Sequence, residues 1–308
     1  VLPILEKHSG KKAGSGFGIA MVPEFLKEGN ALSDFKLPDR IVIGVNDKKS
    51  SELLKKLHSH FKCEILEVPI ATAELIKYAS NSFLATKISF INQIANLCDA
   101  LGIQVDDVAK GMGLDKRIGK QFLKAGPGFG GSCFPKDVLA LMHFSSQNGI
   151  EPTILESVME VNYFQPMRML KLALDASQEN KAGSLNGKTV TVLGLSFKPN
   201  TDDTRKSPAI PLVEELLKLG CKIQAYDPKG MDNFKKLFPN LHYSNDIEKA
   251  LANSHACFIV TDWDEFKKPI SFYESKMAFP LIIDSRRILD PKTRGKAVYR
   301  AIGSGLIK

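Results

Sequence analysis

Gly126-Pro127-Gly128-Phe129-Gly130-Gly131-Ser132-Cys133-Phe134-Pro135-Lys136-Asp137 is the stretch on which the reading of this chain turns. Its four glycines permit positive φ and let the backbone come close to a ligand. They lead into a cysteine followed, three and four residues on, by a lysine and an aspartate. A thiol beside backbone donors and a charge pair can present a nucleophile to a small anionic substrate. The same residues can equally form a Gly-rich turn around a small, buried core cysteine. Gly126, Gly128 and Gly131 match G-x-G-x-x-G. That spacing has physical meaning only between a strand and a helix whose amino terminus receives a pyrophosphate. Residues 118–125 read as a helix end, which argues against a dinucleotide turn and leaves the glycines free to cradle another phosphate.

Upstream, residues 1–15 read as a helix ending in Gly-rich chain. Residues 17–22 and 41–45 are apolar and strand-like, and 49–60 form an amphipathic helix. These are pieces of a doubly wound domain, without the opening strand and glycine turn. Residues 72–101 read as one long helix. On it Lys77, Asn81, Leu84, Ile88, Ile91 and Ala95 recur at steps of three or four, hence on one stripe. An ammonium on an apolar stripe either meets an anion or a hydrogen-bonding ligand, or snorkels from the helix start. Further helices are expected at 106–111, 118–124, 137–148 and 153–177, the last kinked or broken at Pro166.

Downstream, 181–188 reads as a polar linker, and the strand 189–193 opens a second α/β unit. Ser207 and Pro208 suit the N-cap and first position of a helix running to Leu219. A strand at 222–226 ends at Asp227, followed by a helix at 247–252 and strands at 256–261 and 281–284. Such alternation implies a mostly parallel sheet with right-handed crossovers. The first turn, 194–199, lacks the dinucleotide glycines, so Asp227 imitates a ribose-binding acid without the turn that acid serves.

With 308 residues the chain has room for about two domains and sizeable cores. Hydrophobic content of 44% and charged content of 25% are ordinary for a globular chain. The net charge of +8 comes without a Lys/Arg run interleaved with aromatics, so a nucleic-acid groove finds no support. A small polyanionic ligand accounts for the excess, as would a thermophile-like surface. The five cysteines show no C-x-x-C and no His pairing at metal spacing, which points to reduced cytoplasmic thiols and no metal. Neither an apolar run of about 18 residues nor a signal-peptide layout is present. The chain opens at Val1 without a methionine, and a piece of a longer protein is expected.

Three separated segments hold residues with poor structural excuses: Glu24 with Glu28, Lys77 with Asn81, and Cys133 with Lys136 and Asp137. Pro23-Glu24-Phe25-Leu26-x-Glu28-Gly29, Lys77-x-x-x-Asn81, the run from Gly128 to Asp137, and Asp203-Thr204-Arg205 together resemble the UDP-glucose/GDP-mannose dehydrogenase family. The segments 261–266 and 285–290 add to the likeness, which covers essentially the whole chain in order. The resemblance implies an α/β fold. Residues 1–66 would be the remnant of an N-terminal Rossmann, NAD-binding domain. Residues 67–180 would form a central all-helical dimerisation region with the catalytic cysteine and a long connecting helix. Residues 187–308 would be a C-terminal, UDP-binding, Rossmann-like domain.

The family oxidises the C6 alcohol of a nucleotide sugar to a carboxylate with two NAD⁺, through a thiohemiacetal and a thioester. By that resemblance Cys133 is the thiolate, which nearby positive charge must favour. Lys77 stabilises the oxyanion, Asp137 positions water or takes a proton, Glu24 activates the hydrolytic water with Glu28 in support, and Asn81 hydrogen-bonds the sugar. Lys124, Ala125, Gly126, Pro127, Gly128, Phe129 and Gly130 would line the UDP, with Phe122 beside them and backbone amides suited to phosphate. Phe25, Leu26, Lys27 and Glu28 would face the substrate, Phe197 and Lys198 the nucleotide, and Arg286 the sugar or phosphate. Arg117 would reach a neighbouring subunit's substrate across a homodimer of the central helices. Arg205, Glu28 and Cys133 would touch NAD. Glu28 favours the branch acting on UDP-glucose over those acting on N-acetylhexosamines or GDP-mannose. Most of the family's N-terminal NAD domain, with its G-x-G-x-x-G turn and a water-positioning threonine, has no counterpart here. The 308 residues alone are therefore expected to bind NAD poorly and not to turn over, or to act as a UDP-sugar-binding scaffold.

Overall fold

The β-branched run Ile41, Val42 and Ile43 is nearly sealed from solvent, as its lack of polar side chains demands. It belongs to the first of two units, Val1–Asn81 and Ser82–Lys308, into which the chain divides. The computed structural model describes residues 1–180 and 183–305.

The first unit contains α1 (Leu2–Ser9), β1 (Ala20–Met21), α2 (Ala31–Lys36), β2 (Arg40–Val45), α3 (Lys48–His58), β3 (Glu64–Val68) and the start of α4 (Ile70–Leu101). Its sheet has the order β1-β2-β3. β2 and β3 run parallel with Ile43 opposite Glu67, and β1 is antiparallel to β2. Helix α3 makes the crossover and starts where Asp47 accepts a 2.8 Å bond from the Ser50 amide. The helix expected over 1–15 stops at Ser9, where Gly10 takes φ 67° and donates to the Glu6 carbonyl. The strand expected over 17–22 contracts to two residues.

The second unit holds the rest of α4, then α5 (Val105–Gly113), α6 (Phe134–Gln147), α7 (Thr153–Glu179), β4 (Thr189–Leu193), α8 (Ala209–Lys218), β5 (Lys222–Tyr226) and α9 (Met231–Lys235). It continues with β6 (His242–Tyr243), α10 (Ile247–Leu251), β7 (Ala256–Ile259), α11 (Ile270–Lys276), β8 (Leu281–Asp284) and β9 (Val298–Ala301). All neighbours in the order β6-β5-β4-β7-β8-β9 are parallel. Alternate strand residues point to opposite faces. Val190, Val192, Phe258 and Ile283 join Met169 and Leu172 of α7 and Leu212 and Leu216 of α8. Leu193, Cys257, Ile259 and Ile282 join Leu251 of α10 and Ile270 and Tyr273 of α11. The topological switch lies at β4, and the crevice beyond the carboxyl ends of β4 and β7 is where such sheets take ligands.

Several expectations are corrected. Residues 118–124 are loop, because Gly119 and Phe122 adopt φ of 70° and 62° and interrupt any helix. Helix α6 begins at Phe134 rather than 137, with a proline in its first turn. Helix α7 runs through Pro166 without a break. Pro208, not Ser207, is the N-cap of α8. Residues 181–182, at the start of the proposed linker, and 306–308, at the end of the proposed C-terminal domain, lie outside the described residues. Among the described residues no helix is long and apolar enough to cross a membrane, and no cluster of three or more His, Cys, Asp or Glu could hold a metal ion.

Candidate active site

In the second unit Cys133 is the N-cap residue of α6, its side chain exposed at the positive end of the helix dipole. The Ser132 hydroxyl lies 3.6 Å from its sulfur. One turn on, Asp137 is buried and its amide donates to the Cys133 carbonyl at 2.9 Å. Lys136 Nζ donates to the Asp137 carboxylate at 2.6 Å. Thiol, carboxylate and ammonium thus share the first turn of one helix.

The glycine loop ahead of the thiol is tied on every side. The Gly126 amide donates to Asn92 Oδ1 at 2.8 Å and its carbonyl accepts from Gln165 Nε2 at 2.9 Å. Phe129 and Asn162 exchange two bonds of 2.7 and 3.0 Å between backbone and amide side chain. The Gly131 amide donates to the Arg205 carbonyl at 2.8 Å. A Cβ on Gly130 would overlap the Lys206 carbonyl, and one on Gly131 would stand 2.7 Å from the Phe197 ring. The glycines are therefore required by close approach of the segment 197–206. Phe122 and Phe129 flank Phe134 with ring centroids 6.2 and 5.9 Å away.

Cations border this loop. Lys124 donates to Asp262 at 2.9 Å. Arg286 donates through Nε to the Val260 carbonyl at 2.8 Å, and a Cβ on Gly126 would sit 3.2 Å from its guanidinium. Burial would raise the Asp262 carboxyl, but Arg286 and Lys124 outweigh it and hold the group below the usual carboxylate range. Lys198 Nζ lies 5.0 Å from the Phe197 ring centroid. Arg205 forks onto Asp203 at 2.9 and 2.7 Å. Burial would raise Asp203 as well, and the Arg205 bonds turn the net shift downward. Arg117 is exposed and forked onto Asp115, two residues away.

In the first unit Lys77 resolves the puzzle of its stripe. Its ammonium donates to the Glu24 carbonyl, lies 3.9 Å from the Glu24 carboxylate and sits 5.4 Å above the Phe25 ring. Arg40 covers the same ring at 4.2 Å. The Leu26 amide donates to the Glu24 carboxylate, Lys27 is held by Asp34, and Glu28 is exposed. Asn81 is buried on α4.

Residues that sequence reasoning passed over organise the second unit's site. Arg287, at φ 53°, spans three segments: Asp106 at 3.0 Å, the Ile302 carbonyl at 2.9 Å and the Ala125 carbonyl at 2.9 Å. Asp284, fully buried, accepts from the amides of Arg286, Ile288 and Leu289 and from the Tyr299 hydroxyl. Burial pushes its carboxyl up, and those donors only partly oppose the rise. Asn92 carried a usable signal, since it is a polar residue on the buried stripe of α4, as Asn81 is. Arg287, exposed by every sequence criterion, carried none.

Two stretches of the second unit that imitate a dinucleotide turn are taken up by contacts within the chain. The G-x-G-x-x-G match lies in a loop pinned by Asn92, Asn162 and Arg205 rather than between a strand and a helix. The turn after β4 spends its amides on Asp227.

Comparison with known proteins gives a consistent result. Residues 1–62, 71–163 and 191–291 match three family descriptions in chain order. These are the NAD binding domain, the central domain and the UDP binding domain of the UDP-glucose/GDP-mannose dehydrogenase family. The chain is 47% identical over 286 residues to UDP-glucose 6-dehydrogenase of Rickettsia bellii, covering 91% of this chain and 65% of that protein. To the enzyme of the same name from Rickettsia felis it is 44% identical over 305 residues, covering 96% and 67%. The solved UDP-glucose dehydrogenase of Pyrobaculum islandicum superposes with a TM-score of 0.82 at 37% identity, covering 94% of this chain and 64% of that one. The chain spans about two thirds of the length of the curated relatives it matches.

Proposed function

Because the chain belongs to the UDP-glucose/GDP-mannose dehydrogenase family, we propose that it carries the thiol and nucleotide-sugar machinery for oxidising UDP-glucose to UDP-glucuronate. The observation that carries this reading is the exposed Cys133 at the amino terminus of α6, preceded by a glycine loop bordered by Lys124 and Arg286. The two cations suit a diphosphate, and Phe197 and Lys198 present a ring and a charge to the nucleotide.

In the proposed sequence the substrate C6 alcohol is first oxidised to an aldehyde. The Cys133 sulfur adds to the carbonyl carbon to give a thiohemiacetal, a C–S bond that keeps the aldehyde from escaping. Loss of a hydride from that carbon, and of the proton on its hydroxyl, leaves the thioester, and water cleaves the C–S bond to give the carboxylate and the free thiol. NAD⁺, one molecule for each oxidation, would accept the two hydrides. Lys77 holds the oxyanion, Glu24 takes the proton of the hydrolytic water with Glu28 in support, Asp137 orders that water, and Asn81 binds a sugar hydroxyl. Phe25, Leu26 and Lys27 are assigned to the substrate, and Arg205 and Glu28 to NAD.

UDP-glucose is favoured as substrate by the names of the relatives above 40% identity and by Glu28. Another nucleotide sugar, GDP-mannose among them, is the alternative within the family. A homodimer through the central helices and a reducing cytoplasm complete the proposal. The first is supported by the apolar outer stripe of α4 and the second by five free cysteines. Turnover by these 308 residues alone is expected to be absent. Calorimetry with UDP-glucose, with and without NAD⁺, separates a binding scaffold from an oxidising enzyme. The decisive variant is Cys133→Ser in protein of the relatives' full length, assayed for UDP-glucuronate. Acid formation is expected to fall by roughly a thousandfold or more, as for loss of a covalent nucleophile, with UDP-glucose binding retained. Undiminished acid formation would sink the thioester route.

A further inference from the structure

Asp227 directly follows strand β5, the place where a dinucleotide-binding fold keeps its ribose-binding carboxylate. Here the carboxylate faces inward and has no exposed surface. One oxygen accepts from the Leu195 amide at 2.7 Å, the Ser196 amide at 3.0 Å, the Ser196 hydroxyl at 2.9 Å and Trp263 Nε1 at 3.0 Å. The other accepts from the amides of Lys229 at 2.9 Å and Gly230 at 2.6 Å. Six neutral donors from the loops after β4, β5 and β7 thus converge on one buried charge, as burial of a carboxylate requires.

The turn so held continues to the thiol loop. The Ser196 carbonyl accepts from Thr261 Oγ1 at 2.5 Å, and the Phe197 amide donates to the Asp203 carbonyl at 3.1 Å. The Phe197 ring then lies against Gly131, two residues before Cys133.

We infer that Asp227 is a positioning residue for the Cys133 loop. By fixing the turn from Gly194 to Phe197 it seats the Phe197 side chain against Gly130 and its ring against Gly131, and so sets where the loop and its thiol stand. The residue that imitates a cofactor ligand in sequence is a keystone of the nucleotide-sugar side instead. This deepens the functional reading above and rests on it for the loop's role, but the thiol reports on Asp227 without any substrate.

The test is iodoacetamide labelling of the 308-residue chain, followed cysteine by cysteine by peptide mass spectrometry, in Asp227→Asn, Phe197→Ala and the double variant. Asparagine keeps the shape but turns an NH₂ toward donors. Cys133, already exposed, is expected to label roughly threefold or more faster in either single variant, because a loop released from the Phe197 contact presents its thiol more freely. The double variant should be no faster than the faster single one, because both act through one contact. Cys98, Cys221 and Cys257, all buried, should stay protected, which a general loosening of the fold would not allow. Should Asp227→Asn expose those cysteines, Phe197→Ala decides, since it leaves all six donors in place. Unchanged Cys133 labelling in Phe197→Ala, or multiplied effects in the double variant, would overturn the proposal. A parallel arm measures whether UDP-glucose slows Cys133 labelling in the unaltered chain. Its failure would count against the functional reading alone, while the labelling rates still decide on Asp227.

Discussion

At Gly131 the backbone sits at φ 80°, and the Phe197 ring occupies the place of a side chain. Gly131→Ala is expected to cost at least about 1–2 kcal/mol from the left-handed backbone alone. It should also weaken UDP-glucose binding, read by calorimetry; unchanged affinity would mean the loop does not meet the ligand. Arg287→Ala removes three bonds and strands the Ala125 and Ile302 carbonyls. A loss of about 2–3 kcal/mol, seen as a lowered urea midpoint with an unchanged m-value, is the expected outcome. Cys133, Lys77 and Asn81 stood out in the sequence because their residue types sat where a core or a turn had no use for them. Arg287 was not, because what buries it is the meeting of Asp106, Ala125 and Ile302 from distant parts of the chain.

Among the elements, the loop after β7 and the loop before α6 are joined by Asp262 with Lys124 and Arg286. The folded state holds the Asp262 carboxyl below its unfolded value, so its stabilisation is present above the unfolded pKa, about 3.9, and is lost as pH falls through the lower folded value. Asp262→Asn should therefore lie below the unaltered chain in thermal stability by a constant margin above about pH 5, and the two should converge below about pH 4. Melting curves across that range check this; a gap that survives at the acid end would refute the ion cluster. Helix α7 shows a different lesson in how elements form. Pro166 cannot donate to the Asn162 carbonyl one turn back, and a Cβ on Gly128 would stand 3.4 Å from that carbonyl and 2.9 Å from Asn162 Oδ1. The proline thus leaves an acceptor on the face where the glycine loop passes, rather than breaking the helix. The stretch 118–124 misled for a local reason, since its apolar spacing suits a helix but Gly119 and Phe122 take left-handed backbone.

For the molecule as a whole, α4 carries two apolar stripes. One, through Ala85, Ile91 and Ala95, is buried; the other, Phe83, Phe90, Leu97 and Leu101, is from 47 to 65% exposed. Steps of seven keep Phe83, Phe90 and Leu97 in line. If this stripe is the proposed dimer contact, Phe90→Asp with Leu97→Asp should give a folded monomer by sedimentation where the unaltered chain is a dimer; an unaltered monomer would remove the proposal. The alternation of β and α elements, the parallel sheet at 189–284, the long helix, the glycine loop and its thiol were determined by the sequence itself. They rest on residue type and on periods of two and 3.6 residues, which are local properties. Tertiary structure alone decided that Lys77 is answered by Glu24 and Phe25, that Asp227 serves the backbone and not a ribose, and that Arg287 ties down the glycine loop. Those outcomes depend on which donors and acceptors are brought together and sealed from water, and burial of a charge is a property of the neighbours that surround it rather than of its place in the chain.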